Sequence, residues 1–370
     1  MKFTCSKSLL DKQLQYVSRI ITIRQSMPVL SNVLLETDGN ILRMSGTDLD
    51  LAVTTHMPAQ VEQEGAFTVP AKLFQEFLHQ NPDEEITLTL ESFELVCTSS
   101  KVKARIAGLD PEEYPALPQV EKGKRITVDL QKFVSIMKQV VIACAADQSR
   151  PVLTGVYARF EGEVATFAAT DSFRLVERTL PIVPVQEVLS LIIPGRTIQE
   201  IIRCSATLPE STQLEFELSD QQALFRMGDV ELYSRLITGN FPKYQAIVPT
   251  EFMAVADVTT SELIQSLRLS YVFSQSGITN VLLEVDEAGA LTVSTYGSQK
   301  GSTKHSLYAL VEEGFTPIKV AFNAKFLLDA AQATGSDHLK LRFSSPTKAM
   351  VMSTDETDYL QLVMPIRLDS

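Results

Sequence analysis

Leu10, Leu14, Val17 and Ile21 are spaced four, three and four residues apart, the signature of a helix with one buried face. The same period runs through Phe133, Ile136, Met137, Val140, Val141 and Cys144, and through Ile264, Leu267 and Tyr271. Start signals stand where these patterns begin. Asp129 is placed to cap the second helix, and Thr259 with Glu262 makes the pattern of a capping box for the third. Three more helices are predicted from VPAKLFQEFL at Val69, IPGRTIQEII at Ile193 and FNAKFLLDAA at Phe322, where Pro or Asn precedes the first turn. Strict alternation over 86–90, 214–218 and 339–343 predicts strands with one buried and one wet face.

These elements recur. Pro70, Pro194 and Asn323 hold one place in the three helix starts, 124 and 129 residues apart. NVLLE at Asn32 returns at Asn280, 248 residues on, with TGVYARF at Thr154 between them. Thr47-Asp48 returns as Thr170-Asp171 at an offset of 123, and RIAGLDPEEYPALP at Arg105 returns as RLITGNFPKYQAIVP at Arg235 at an offset of 130. Several matches in one order, spaced by a third of 370 residues, point to a triplicated domain. Each copy reads as helix, about three strands, helix, about four strands, an α+β unit with two helices on sheet. The expected domains are 1–121, 122–250 and 251–370, divided near Glu121-Lys122-Gly123 and Val248-Pro249-Thr250.

Composition narrows the class. Apolar residues make up 45% and charged residues 21%, which is globular, and no apolar run approaches the ~20 residues of a membrane span. The chain turns polar too early after Met1 for a signal peptide, so a cytoplasmic protein is expected. Cys5, Cys97, Cys144 and Cys204 include no CxxC and are expected to be free thiols. His56, His79, His305 and His338 show no ligand spacing, so neither metal nor cofactor is expected. No phosphate-binding loop, GxSxG, HExxH or GxGxxG occurs. The Thr-Asp pairs offer an acid/base reading, but Asp after Thr at a strand end suits a turn that satisfies backbone amides. The third copy has Thr295-Tyr296-Gly297 there.

The net charge is −12, which by itself argues against nucleic acid. Its distribution argues otherwise. The helical spans 7–24, 70–80, 129–150, 194–204, 259–274 and 322–334 sum to +5, leaving −17 elsewhere. Lys72, Arg196 and Lys325 recur at one position of the repeated helix start, the unfavourable end of the helix dipole for a cation. Three repeats joined edge to edge would make an arc, and two arcs related by a two-fold axis would close into a ring without open sheet edges. A duplex threaded through such a ring needs only weak backbone contacts. The alternative is a protein-binding scaffold with an empty centre.

In this order, MKF, LSNVLLE, GTDLDL, RPVLTGV at Arg150, ATDSFRLV at Ala169, GNFPKY at Gly239 and VMPIRL at the end resemble the bacterial sliding-clamp family, the beta subunits of DNA polymerase III. The resemblance spans the whole chain. It implies a head-to-tail homodimeric ring of three-domain protomers, without catalysis of its own, encircling duplex DNA in the cytoplasm. The implied partners are the polymerase III alpha subunit, the delta subunit of an ATP-dependent clamp loader, and other polymerases and repair proteins. These bring a short peptide to a pocket.

By motif match that pocket comprises Leu153, Thr170, Ser172, Phe173, Arg174, Leu175, Pro242, Ala246 and Ile247. The third copy adds Asn323, Phe326, Met350, Met352, Leu362, Met364, Pro365, Ile366 and Arg367. Methionine adapts to varied ligand shapes, and Arg174 and Arg367 are expected to hold peptide carbonyls or acidic groups. Phe173 stands where the family often has His or Tyr, Ala246 where it can have Arg, and Asp369-Ser370 extends the usual ending. For DNA the matches are Arg24, Arg150 and Arg196, with Lys12, Lys72, Lys132 and Lys138 as helix-surface candidates. For ring closure, the strand around Ile106 is expected to meet Val272-Phe273 of a second copy.

Overall fold

The computed structural model describes residues 1–21, 27–118, 120, 123–273, 280–296, 301–356 and 358–367. The chain forms two compact units. One is Met1–Gln131 with Gln199–Leu236, the other Lys132–Ile198 with Ile237–Ser370.

The first unit opens with β1 (Lys2–Ser6) and α1 (Lys7–Ser18). Ser6 caps α1, accepting from the Leu9 amide at 3.4 Å. Five strands follow: β2 (Asn32–Asp38), β3 (Ile41–Thr47), β4 (Leu51–Pro58), β5 (Gln60–Gln63) and β6 (Gly65–Pro70). Then come α2 (Ala71–Gln80), β7 (Glu85–Glu91), β8 (Glu94–Thr98), β9 (Lys103–Ala107) and β10 (Lys124–Asp129). The chain passes into the second unit within α3 (Leu130–Val140). There it forms β11 (Gly155–Thr170) and β12 (Arg174–Pro194), and it returns within α4 (Gly195–Ser205). It then adds β13 (Gln213–Leu218), β14 (Gln222–Met227) and β15 (Val230–Arg235) to the first unit.

β15 pairs antiparallel with β4, Leu232 opposite Val53, so eight strands run β10-β13-β14-β15-β4-β3-β2-β6. This continuous ladder is why the middle third of the chain divides between two units instead of standing apart. A second sheet runs β5-β1-β7-β8-β9. α1 lies across β3 and β4 and against α2, burying Leu10, Leu14 and Val17. A side chain at Gly46 would come within 2.7 Å of Val17, so glycine there lets the helix sit down on the strand.

The rest of the second unit is β16 (Ala254–Thr259), α5 (Thr260–Val272), β17 (Asn280–Val285), β18 (Leu291–Tyr296), β19 (Lys304–Leu307), β20 (Ala309–Val311) and β21 (Ile318–Asn323). It ends with α6 (Ala324–Ala333), β22 (His338–Phe343), β23 (Met350–Ser353) and β24 (Tyr359–Val363). Its sheets run β11-β12-β24-β23-β22-β16-β20 and β19-β18-β17-β21. α5 packs on α6, and both cover a core that includes Leu267, Val281, Phe322, Leu327, Phe343, Met350 and Met352.

The three helices starting after Pro70, Pro194 and Asn323 form as read, and so do the strands at 86–90, 214–218 and 339–343. Several details differ. A strand (β1, β10, β16) precedes the first helix of every repeat, and three strands follow the second helix. In the middle repeat, two strands of 16 and 21 residues replace the group β2–β6. α1 and α3 stop at Ser18 and Val140, well short of 24 and 150. Val141 continues as a 3-10 turn and Cys144 lies just past it. Thr259 occupies the N-cap of α5 with extended backbone, but its side chain makes no cap bond. The buried stripe of α5 is Leu263, Ser266, Leu267 and Ser270, while Tyr271 is 44% exposed. Small serines let α5 approach its neighbours closely, and that rotates the stripe away from the one read by hydropathy. With the observed bounds the six helices carry nine basic and five acidic residues, a net +4, and the remainder carries −16.

Candidate partner-binding cleft

The site is organised by the turn between β11 and β12. Thr170 Oγ1 accepts from the Ser172 amide at 3.1 Å and donates to the Arg174 carbonyl at 2.7 Å. Asp171 Oδ1 accepts from the amides of Phe173 and Arg174, both at 2.9 Å. The two side chains therefore take up the polar backbone groups of the reversal, and they hold Ser172 at a φ of 76°, a strained value for a residue with a Cβ. The acid/base reading of this pair gives way to a structural one, because both side chains are spent on the turn.

Held this way, Phe173 is 61% exposed and its ring stacks on Phe326, with centroids 6.3 Å apart. Arg174 points the other way. Its Nε donates to Asp171 Oδ2 at 3.0 Å and its Nη1 to Asp329 Oδ2 at 2.8 Å, and the guanidinium lies 4.6 Å from the Phe326 ring centroid. Only a tenth of this side chain is exposed. Arg174 thus ties the turn to one face of α6, where Phe326 and Asp329 stand one helical turn apart, and it is already engaged by two carboxylates. The Met364 amide donates to the Phe173 carbonyl at 2.8 Å, and the Ile366 amide to the Ala321 carbonyl at 2.7 Å. These bonds bring the C-terminal Met-Pro-Ile beside the turn.

On one face of the seven-stranded sheet, Leu175 pairs with Leu362. They form an apolar cluster with Tyr244, Val351 and Ala168, flanked by Phe241 and Met364. Phe241 stacks on Tyr157 at 5.1 Å, and the Tyr244 hydroxyl donates to Glu177. Burial and that carboxylate push the Tyr244 phenol well above the usual tyrosine range. The 3-10 turn Tyr244–Ile247 leaves Ala246 and Ile247 exposed, as is Pro242. Leu153 is buried in a second 3-10 turn, Pro151–Leu153. Burial likewise pushes the thiol of Cys144, a neighbour of Arg174 and Asp171, up to about 12.

Not every candidate joins this surface. Met350 and Met352 are at most 1% exposed and lie in the core on the opposite sheet face, against α5 and α6. Alternation along β23 places Val351 on the cleft side instead. Asn323 caps α6, accepting from the Lys325 amide at 2.9 Å, and Arg367 is exposed. Arg150, assigned to DNA by resemblance, donates to Ser172 Oγ at 3.4 Å, so it stands on the rim of this cleft. Sequence reading passed over Phe241, Tyr244 and Asp329. Tyr244 could have been found as the repeat of Tyr114, whereas Phe241 stands where the first copy has Pro111, and no local signal marks Asp329 as the partner of Arg174.

Among the other candidates, Lys12, Lys72, Lys132, Lys138 and Arg196 are exposed on α1, α2, α3, α3 and α4. Arg24 and Asp369-Ser370 lie outside the described residues, as does Gly297. Ile106 is 3% exposed on β9, the last strand of its sheet, while its neighbours Arg105 and Ala107 are exposed. Val272 is 74% exposed and the half-buried Phe273 follows it at the end of α5.

Three family models match the chain in succession: the N-terminal domain of the DNA polymerase III beta subunit over residues 1–118, its central domain over 127–243 and its C-terminal domain over 245–367. A curated relative named beta sliding clamp, from Synechocystis, is 30% identical over 392 aligned positions, covering all of both chains. One from Halalkalibacterium halodurans is 28% identical over 99% of this chain and 100% of its own. Among solved structures, a DNA polymerase sliding clamp from Bacillus subtilis superposes with a TM-score of 0.95 at 24% identity, both chains fully covered. The DNA polymerase III beta subunit from Pseudomonas aeruginosa does so with a TM-score of 0.94 at 22% identity, again over the full length of both. The repeated α/β unit, its three consecutive domain matches and the full-length relatives agree: the chain belongs to the DNA polymerase III beta subunit family.

Proposed function

We propose that this protein is a DNA sliding clamp, a non-catalytic ring that encircles duplex DNA and tethers the replicative polymerase. The observation that carries the reading is the succession of three beta-subunit domains over the whole chain. The domains are 1–121, 122–250 and 251–370. Two protomers close the ring head to tail. The open edge of β9 adds to the sheet edge of a second copy near β19, and Val272-Phe273 supply an apolar anchor. The cations of the helices, Lys12, Lys72, Lys132, Lys138 and Arg196, face the duplex, and the more acidic remainder faces away. Contacts of this kind go to phosphates and carry no base readout.

The cleft around Phe173, Leu175, Leu362 and Met364 takes a short linear peptide from the polymerase alpha subunit, the loader's delta subunit and other DNA-processing proteins. The neighbouring fold of a Pseudomonas aeruginosa clamp has been solved bound to griselimycin, which supports a ligand-taking surface in this architecture. Protein that has been loaded onto nicked circular DNA is expected to stay bound at high salt and to be released when the circle is linearised, because the link is topological. Release by salt alone, with no effect of linearisation, would overturn the ring. The peptide surface is tested separately by titrating a partner peptide against Phe173→Ala and a chain cut after Met364. If neither change weakens binding, the cleft assignment is wrong.

A further inference from the structure

On the same sheet face as Leu175 and Leu362, but further along, a cavity of about 450 Å³ opens over β22–β24 and adjoins the apolar cluster of the cleft at Val351. Arg342, Val351, Ser353 and Leu360 line its sheet side, and Val248 and Phe252 form one wall. Val351 is shared with that cluster, but none of the cleft residues expected from sequence lines the cavity. Arg342 donates through Nε to Ser353 Oγ at 3.1 Å, and its guanidinium lies 5.6 Å from the Phe252 ring centroid. Among the described residues it has no carboxylate partner.

The other charged groups of the cavity are all paired. Lys340 holds Asp355 at 2.7 Å, and Arg178 holds Glu356 at 2.7 Å. The rim charges therefore cancel, leaving one half-buried guanidinium whose two terminal nitrogens are uncommitted beside aliphatic side chains. A cation withdrawn from water without a partner is costly, and the Phe252 ring offsets only part of that cost. The two remaining nitrogens present the fork that matches a carboxylate.

We propose that this cavity binds the C-terminal carboxylate of a polypeptide ending in an aliphatic residue. The carboxylate takes the Arg342 fork, and the aliphatic side chain lies on Val351, Leu360 and Val248. The inference does not depend on the function proposed above, since the group that carries it, Arg342, takes no part in the turn or the peptide cleft.

The test uses the full-length protein and N-acetyl-L-leucine as probe, followed by methyl NMR of Val351 and Leu360. Saturable shifts at these methyls are expected, with N-acetyl-L-leucine amide binding at least about tenfold more weakly, because the neutral amide loses the charge-assisted pair. Arg342→Gln is expected to lose at least about tenfold, and Arg342→Lys to fall between, keeping the charge but not the fork. Unchanged unfolding midpoints show that both variants are folded, and Ser353→Ala provides a milder disturbance if Arg342→Gln is not. Equal binding of acid and amide, shifts confined to the Leu175–Leu362 cleft, or no saturable shift at tens of millimolar would overturn the site. Stronger binding of N-acetyl-L-glutamic acid α-amide than of N-acetyl-L-leucine would overturn the assignment to a chain terminus in favour of an acidic side chain.

Discussion

The turn at Thr47-Asp48 and the turn at Thr170-Asp171 are the same object built twice. In the first, Thr47 Oγ1 accepts from the Leu49 amide and donates to the Leu51 carbonyl, and Asp48 Oδ1 accepts from the amides of Asp50 and Leu51. Every one of these bonds has its counterpart 123 residues later. The left-handed residue recurs as well, Leu49 at a φ of 82° and Ser172 at 76°. The difference lies in what the turn presents. The first presents Asp50 and a buried Leu51. The second presents Phe173 and Arg174, with α6 waiting to receive them. A repeat supplies the scaffold, and the changed residues let one copy join its turn to α6 through Phe173 and Arg174.

The comparison breaks most readily at Arg174. Arg174→Ala strands Asp171 and Asp329, both largely buried, and is expected to cost about 3 kcal/mol in urea unfolding. With its thiol pushed up to about 12 by burial, Cys144 is expected to react with iodoacetamide on the order of 10³-fold more slowly at pH 8 than a free thiol. Because the folded value lies above the ordinary one, burial of this neutral thiol contributes fully to stability below about pH 8.5. Its contribution declines as pH rises from there toward 12.

Removing the turn carboxylates sharpens the contrast. Asp48→Ala is expected to cost at least about 1 kcal/mol, since two amides lose an acceptor, and Asp171→Ala about 2 kcal/mol, since Arg174 loses a partner as well. A loss below about 1 kcal/mol in Asp171→Ala would show that Arg174 adds nothing. Phe173→Ala should change stability by less than about 0.5 kcal/mol, since the ring is mostly exposed, yet weaken a bound partner peptide about tenfold, as expected for an aromatic anchor. The smallest effects belong to Leu49→Gly and Ser172→Gly. Each relieves a left-handed residue but loosens the unfolded chain, so both should lie within about 1 kcal/mol of the parent and match one another. A large difference between them would mean that the two turns are not equivalent.

Much of this was legible in advance. The triplication, the three helix starts and the alternating strands follow from local periodicity, and a helical or strand period depends only on neighbours along the chain. The Thr-Asp turns were legible as turns for the same reason. Other features were not. Met350 and Met352 look like ligand contacts by type, but the register of β23 against β24 turns them into the core and Val351 toward the cleft. Arg150 is matched to DNA by resemblance, and no local pattern records the bond that its guanidinium makes to Ser172. The extra strands β1, β10 and β16 are short segments whose pairing partners lie far away in the chain.

The sequence by itself determined that one α/β unit is repeated three times, where its helices begin, and that its helical segments are more basic than the rest. Only the tertiary structure decided which face each strand residue occupies, which carboxylates claim Arg174, and how the middle repeat is divided between two compact units. The reason is physical. Periodicity and capping are settled within a few residues, whereas strand register and ion pairing join groups such as Arg174 and Asp329, 155 residues apart, whose meeting no local pattern records.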